Sequence, residues 1–131
     1  MHSMDISTLE KIVVDALEDI KGRDIVVLDT QRLSPLFERV IVASGDSNRQ
    51  VRSLAQNVAD KVREAGGTVL SSEGEEHGEW VLVDLGTIVV HVLQPAVRAY
   101  YRLEELWGGE LPAPLRRPVR SGEQGGQADA A

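Results

Sequence analysis

The chain contains no cysteine, which excludes disulfides, thiolate metal ligands and cysteine nucleophiles. Aromatic residues are scarce, with two Trp, two Tyr and one Phe among 131 positions. No run approaches the roughly 18 uninterrupted apolar residues that a membrane-spanning helix needs. The N-terminus also lacks the charged-then-apolar layout of a secretory signal. Basic residues are the minority: fourteen Lys plus Arg against twenty-one Asp plus Glu give a net charge of -7. Such a field repels bare phosphate backbones and disfavours direct DNA binding. A soluble intracellular protein, away from membranes and with a basic protein partner, is the expectation.

Hydrophobic residues make up 42% of the chain, enough for one core of ordinary size and too little for two. The expected organisation is one domain over residues 4–110 followed by a tail, residues 111–131. The tail is rich in Pro, Gly, Ser, Gln and Ala and poor in large apolar residues, so it is expected to be disordered.

Along the domain, Ser7 followed by Glu10 has the spacing of a capping box. Leu9, Ile12, Val13, Ala16, Leu17 and Ile20 then recur at helical intervals until Gly22. Residues 24–29 and 39–44 are short apolar runs of strand type, separated by a segment containing Ser34-Pro35. Gly45-Asp46-Ser47-Asn48 turns the chain into a second helix carrying Val51, Leu54, Ala55, Val58 and Val62, closed by Gly66-Gly67. A further strand is expected over residues 68–72, and an exposed charged loop over 73–79. Pro95 suits the first turn of a third helix bearing Val97, Tyr100, Leu103 and Trp107, ended by Gly108-Gly109. The order of elements predicts an α/β fold, a mixed sheet with packed helices.

Between the second and third helices, residues 80–85 and 88–93 flank Gly86-Thr87, a two-residue hairpin connection. Pairing Leu85 with Ile88 sets Val83 opposite Val90 and Val81 opposite Val92 on one wholly apolar face. The other face carries Trp80, Leu82, Asp84, Val89, His91 and Leu93. A large aromatic therefore shares it with two titratable groups, and Asp84 and His91 are near enough diagonally for contact. Four of the five aromatic residues, Trp80, Tyr100, Tyr101 and Trp107, fall between positions 80 and 107. Aromatic side chains are favoured at interface hot spots, and Tyr101, off the apolar stripe of the third helix, is the better interface candidate.

These residues carry a family likeness. Glu73-Gly74, Trp80-Val-Leu-Val-Asp-Leu-Gly-Thr-Ile-Val-Val-His91, Arg98-Ala-Tyr-Tyr101, Leu103-Glu104 and Leu106-Trp107, with Ala43-Ser-Gly-Asp-Ser47 and Arg49, Gln50 and Val51 upstream, resemble the signature of the Iojap/RsfS family of ribosomal silencing factors. The likeness spans about residues 5–110. Phe37-Glu38-Arg39 replaces the family's usual aromatic-rich lead into the second strand, Thr87 stands where Asp is usual, and Ala96 where Glu is usual. The resemblance implies a nucleotidyltransferase-like α/β fold without catalytic residues, cofactor or metal. It implies binding to the large ribosomal subunit through a basic ribosomal protein at the intersubunit bridge, where steric overlap blocks subunit joining and represses translation. It further implies a homodimer off the ribosome; bacterial and organellar members share the signature, and a start that is not an Arg- and Ser-rich amphipathic leader makes a bacterial cytoplasm the expectation. Carried over residue by residue, Glu73, Trp80, Asp84, His91, Arg98, Tyr101, Glu104 and Trp107 fall in or directly behind the contact surface.

An active nucleotidyltransferase needs clustered carboxylates for its cations, and no Asp-x-Asp pair follows the Gly45-Asp46-Ser47 turn on a strand. A hydrolase built on Asp84 and His91 lacks a glycine-flanked serine nucleophile. His77 and His91 have no second ligand pair to make a metal site. A catalytically inactive, dimeric regulatory domain binding a small ligand would use the same sheet and the same aromatic face, and stands as the alternative.

Overall fold

Alternating valines and a glycine turn make the hairpin of residues 80–93, and the rest of the sheet is assembled around it. In the computed structural model, which describes residues 4–31 and 37–101 (side chains only to residue 98), the elements run α1 (Ile6–Asp19), β1 (Arg23–Asp29), β2 (Arg39–Ser44), α2 (Asn48–Glu64), β3 (Ser71–Glu73), β4 (Trp80–Asp84), β5 (Ile88–Leu93) and α3 (Pro95–Tyr101). The five strands form one mixed sheet in the order β1-β2-β5-β4-β3. β2 and β5 are parallel, and the other three pairings are antiparallel. The parallel pair lies at the centre, where burial on both faces demands near-continuous runs of β-branched residues.

The hairpin register is the one expected from the turn. Val83 pairs with Val90 and Val81 with Val92, the Leu85 amide donates to the Ile88 carbonyl at 2.9 Å, and Gly86 supplies φ +96°. β3 starts three residues later than the expected 68–72, at Ser71, because its register is set by pairing with β4, Ser71 opposite Asp84 and Glu73 opposite Leu82. Glu73 accordingly belongs to a strand, and the exposed loop begins at Gly74.

α1 and α2 pack side by side on one face of the sheet. Leu9, Val13, Ala16 and Leu17 of α1 and Val51, Leu54, Ala55, Val58 and Val62 of α2 close over Ile41, Ala43, Val81, Val83, Val90 and Val92. Each buried Val, Leu or Ile side chain stabilises the fold by roughly 1.5–3 kcal/mol, and this is the larger of the two apolar clusters. α1 is capped by Asp5, whose carboxylate accepts the Thr8 amide at 3.0 Å, and not by Ser7. Starting at Ile6 adds a side chain that packs on the core, and a start after Ser7 would forfeit it. Ser47 caps α2 by accepting the Gln50 amide at 3.0 Å. The Gln50 side chain then accepts from the Asp46 amide at 2.6 Å and donates to the Ile20 and Lys21 carbonyls at 3.1 and 3.2 Å. One glutamine thus satisfies orphan backbone groups at the start of α2 and the end of α1.

The second face holds a smaller cluster of Phe37, Val40, Val42, Leu82, Val89 and Leu93, with Leu28, Trp80 and Val97 packed against it. α3 begins as expected at Pro95, and Val97 and Arg98 bring it to this face. Its expected continuation through Leu103 and Trp107, and the tail over residues 111–131, lie outside the described residues. No helix among the described residues is long and apolar enough to cross a membrane.

Candidate functional site

Strand pairing alone gathers most of the expected site residues on the second face. One cross-strand row runs Val42, His91, Leu82, Glu73, and those beside it run Ser44, Leu93, Trp80 and Val40, Val89, Asp84, Ser71. Glu73, Trp80, Asp84 and His91 therefore share one face, as the alternation of β4 and β5 requires. Their exposure differs sharply. Glu73 is exposed, Trp80 is half-buried at the rim of the apolar cluster, and Asp84 and His91 are buried.

His91 is tied to Trp80. The indole Nε1–H donates to His91 Nδ1 at 3.0 Å, with the rings edge to face at 62° and their centroids 6.0 Å apart. Accepting at Nδ1 puts the imidazole proton on Nε2, and that buried N–H has no hydrogen-bond partner. Such an orphaned donor costs about 1–3 kcal/mol. Burial pushes the His91 pKa down to about 3, so the ring stays neutral at physiological pH. The diagonal contact between Asp84 and His91 does not form. Asp84 sits at the end of β4 and accepts the Gly86 amide at 2.9 Å, an Asx-type bond that stiffens the hairpin turn.

Arg98 is buried at the other end of the face, where its guanidinium donates to Ser44 Oγ at 2.9 Å. This bond pins α3 to the end of β2. Tyr101 is the last residue of α3 and its side chain is outside the described set, as are Glu104 and Trp107 altogether. Of the expected contact residues, then, Trp80 and Glu73 reach the surface, while Asp84, His91 and Arg98 stand behind it.

Sequence reasoning missed Ser44 and Gln94. The Gln94 amide donates to the Glu79 carbonyl at 3.0 Å and its side chain to Asn48 Oδ1, so it ties the loop before Trp80 to the start of α2. Arg52 of α2 holds the same loop through the Glu75 carbonyl at 2.7 Å. Nothing local in the sequence signals this role of Gln94, since its backbone carbonyl accepts the Val97 and Arg98 amides at the start of α3 while its side chain reaches residues distant in the chain, Asn48 and Gly78. An open groove of about 640 Å³ between α1 and α2, lined by Ile12, Asp15, Glu18 and Lys61 among others, lies on the opposite side of the sheet. Two of its carboxylates are already paired, Asp15 with Lys11 and Glu64 with Lys61.

The profile of the family described as "Ribosomal silencing factor during starvation", RsfS, matches residues 3–130. The chain belongs to the RsfS family. It is 58% identical over 110 residues to the ribosomal silencing factor RsfS of Chromobacterium violaceum, an alignment covering 84% of this chain and 90% of that protein. A crystal structure from the same organism superposes with a TM-score of 0.78 at 54% identity, covering 92% of this chain and 98% of the other. A more distant mouse relative is named mitochondrial assembly of ribosomal large subunit protein 1, with 25% identity over 99 residues, 73% of this chain and 43% of that protein. Relatives from Zymomonas mobilis and Bacillus subtilis are likewise named ribosomal silencing factor RsfS.

Proposed function

We propose that this RsfS-family protein represses translation by binding the large ribosomal subunit and blocking its union with the small one. Contact is made with a basic ribosomal protein at the intersubunit face, through the Trp80 side of the sheet. Glu73 is exposed on that face and Tyr101, Glu104 and Trp107 follow it in the chain. The observation that carries this reading is the placement of a half-buried tryptophan beside an apolar cluster and an exposed carboxylate, on a protein whose family is that of silencing factors. Aromatic anchors with a polar rim are the anatomy of a hot spot, and an acidic chain approaches a basic partner with favourable steering. The name of the mouse relative supports the choice of the large subunit.

On this reading the fold is nucleotidyltransferase-like without catalysis, cofactor or metal, the free protein is a homodimer, and it works in a bacterial cytoplasm without contacting DNA directly. The test is sedimentation of purified subunits at magnesium concentrations that permit joining. Accumulation of free subunits, with the protein travelling on the large one, is the expected result. Undisturbed joining with the protein left at the top of the gradient overturns the proposal and turns attention to small ligands.

A further inference from the structure

A buried histidine with an unsatisfied N–H is an expensive way to fill a sheet face. Its neighbours Val42, Leu82, Val89 and Leu93 are aliphatic and fully or nearly fully buried, so an aliphatic residue at position 91 would suit the cluster with no orphaned donor. What His91 supplies, and an aliphatic side chain does not, is an acceptor for the Trp80 indole at 3.0 Å. Trp80 opens β4 and lies only partly within the cluster. Packing against a cluster does not by itself fix the rotation of a half-buried ring, and the directional bond to His91 from beneath constrains it.

We infer that His91 is a positioning residue, whose Nδ1 holds the Trp80 indole in the orientation in which it meets the partner. The inference rests on the proposed use of the Trp80 face and names a residue behind that face which acts through Trp80. Three further features fit it. The imidazole is neutral at physiological pH, so the Nδ1 lone pair is always available. The proton is forced onto Nε2, so the bond has a single tautomer. Gly74 and the Gln94 bond to the Glu79 carbonyl fix the backbone just before Trp80, so the bond to His91 acts on an indole whose attachment point is already set.

The experiment uses the full chain with three substitutions, His91→Leu, His91→Asn and Trp80→Ala, and two readouts. The first is the Trp80 indole N–H resonance, its chemical shift and its exchange with water, assigned against Trp107→Phe. The second is affinity for purified large subunits. In the unsubstituted protein the indole N–H should be shifted and slow to exchange; a fast-exchanging indole with an unstructured shift overturns the inference without any variant.

His91→Leu should release the indole and weaken binding roughly three- to tenfold, the range expected for one hydrogen bond. His91→Asn, whose Oδ1 falls near the place of Nδ1, should restore much of both. If His91→Leu frees the indole and binding is unchanged while Trp80→Ala abolishes it, the positioning role is wrong and the surface stands. If Trp80→Ala also binds normally, the surface reading fails with it.

Discussion

Lys21 and Gly66 occupy the same place in the same motif, each directly after a helix C-cap (Ile20 and Ala65) and each in the left-handed region, at φ 63° and 91°. In both, the next residue's amide reaches back to the helix: Gly22 to the Leu17 carbonyl at 2.8 Å after α1, Gly67 to the Val62 carbonyl at 2.8 Å after α2. This is the Schellman arrangement, which favours glycine because a Cβ is strained there. α2 has its glycine in place, whereas α1 has a lysine.

The expected consequence is opposite in sign at the two positions. Lys21→Gly relieves the strain and should stabilise the protein by about 0.5–1 kcal/mol, after allowance for the added freedom of the unfolded chain. Gly66→Ala should cost about 1 kcal/mol, although no atom lies within 4 Å of the added Cβ, because the loss is wholly conformational. Urea unfolding of both variants measures this. Equal effects of one sign would contradict the argument.

The two helix ends also mark what the sequence makes legible. Gly66 was readable as a stop because glycine suits a left-handed turn, Gly22 because glycine breaks the helical pattern although the left-handed residue there is Lys21, and the hairpin because Gly86 and alternating valines fix a register between neighbours in the chain. The central pairing of β2 with β5 was not, since it joins segments separated by α2 and two further strands, and no local pattern specifies that partner. The site divided in the same way. Alternation placed Trp80, Asp84 and His91 on one face, but which of them reach solvent depends on what packs over that face. The choice of Trp80 over Asp84 as the partner of His91 is a matter of rotamers that two symmetric diagonals leave open.

Gln50 is expected to be worth more than a surface glutamine. Its side chain bonds the Asp46 amide and the Ile20 and Lys21 carbonyls, so Gln50→Ala leaves groups at two helix ends short of partners. A loss of about 1–2 kcal/mol is expected, and Ser47→Ala, which removes only the N-cap, should cost about 1 kcal/mol. Because Ser47 and Gln50 serve the same turn, the double variant should lose less than the sum. Thermal unfolding of the three proteins checks this.

Gly74 should prove intolerant. At φ +95° an added Cβ would meet the Trp80 carbonyl oxygen, so Gly74→Ala must move the loop or the first residue of β4. Strain and displacement together predict a loss of about 2–4 kcal/mol. Because Trp80 moves with its backbone, large-subunit binding should fall more than in Gly66→Ala, a glycine of similar φ whose added Cβ meets no atom within 4 Å. Matched binding in the two variants would remove the link between Gly74 and the Trp80 face.

Acid unfolding should report directly on His91. Its pKa is near 6.5 in the unfolded chain and is pushed by burial to about 3 in the folded one, so the native state holds the ring neutral where the unfolded state would protonate it. The unfolded chain therefore binds more protons in that window, and stability falls as the pH falls. The contribution is intact above pH 6.5 and is lost progressively between 6.5 and about 3, at up to about 1.4 kcal/mol per pH unit. Carboxylates titrate in the lower half of the same window, so the wild-type profile alone does not isolate the histidine. The difference between wild type and His91→Leu does. At pH 7 the variant should be as stable as wild type or more so, since it removes an orphaned N–H while freeing one half-buried indole. Its advantage should then widen steadily as the pH is lowered from 6.5 toward 4. A constant difference across that range in urea midpoints would mean that the imidazole is reached by water in the folded state, and the rigid, dry setting inferred for the Trp80 acceptor would go with it.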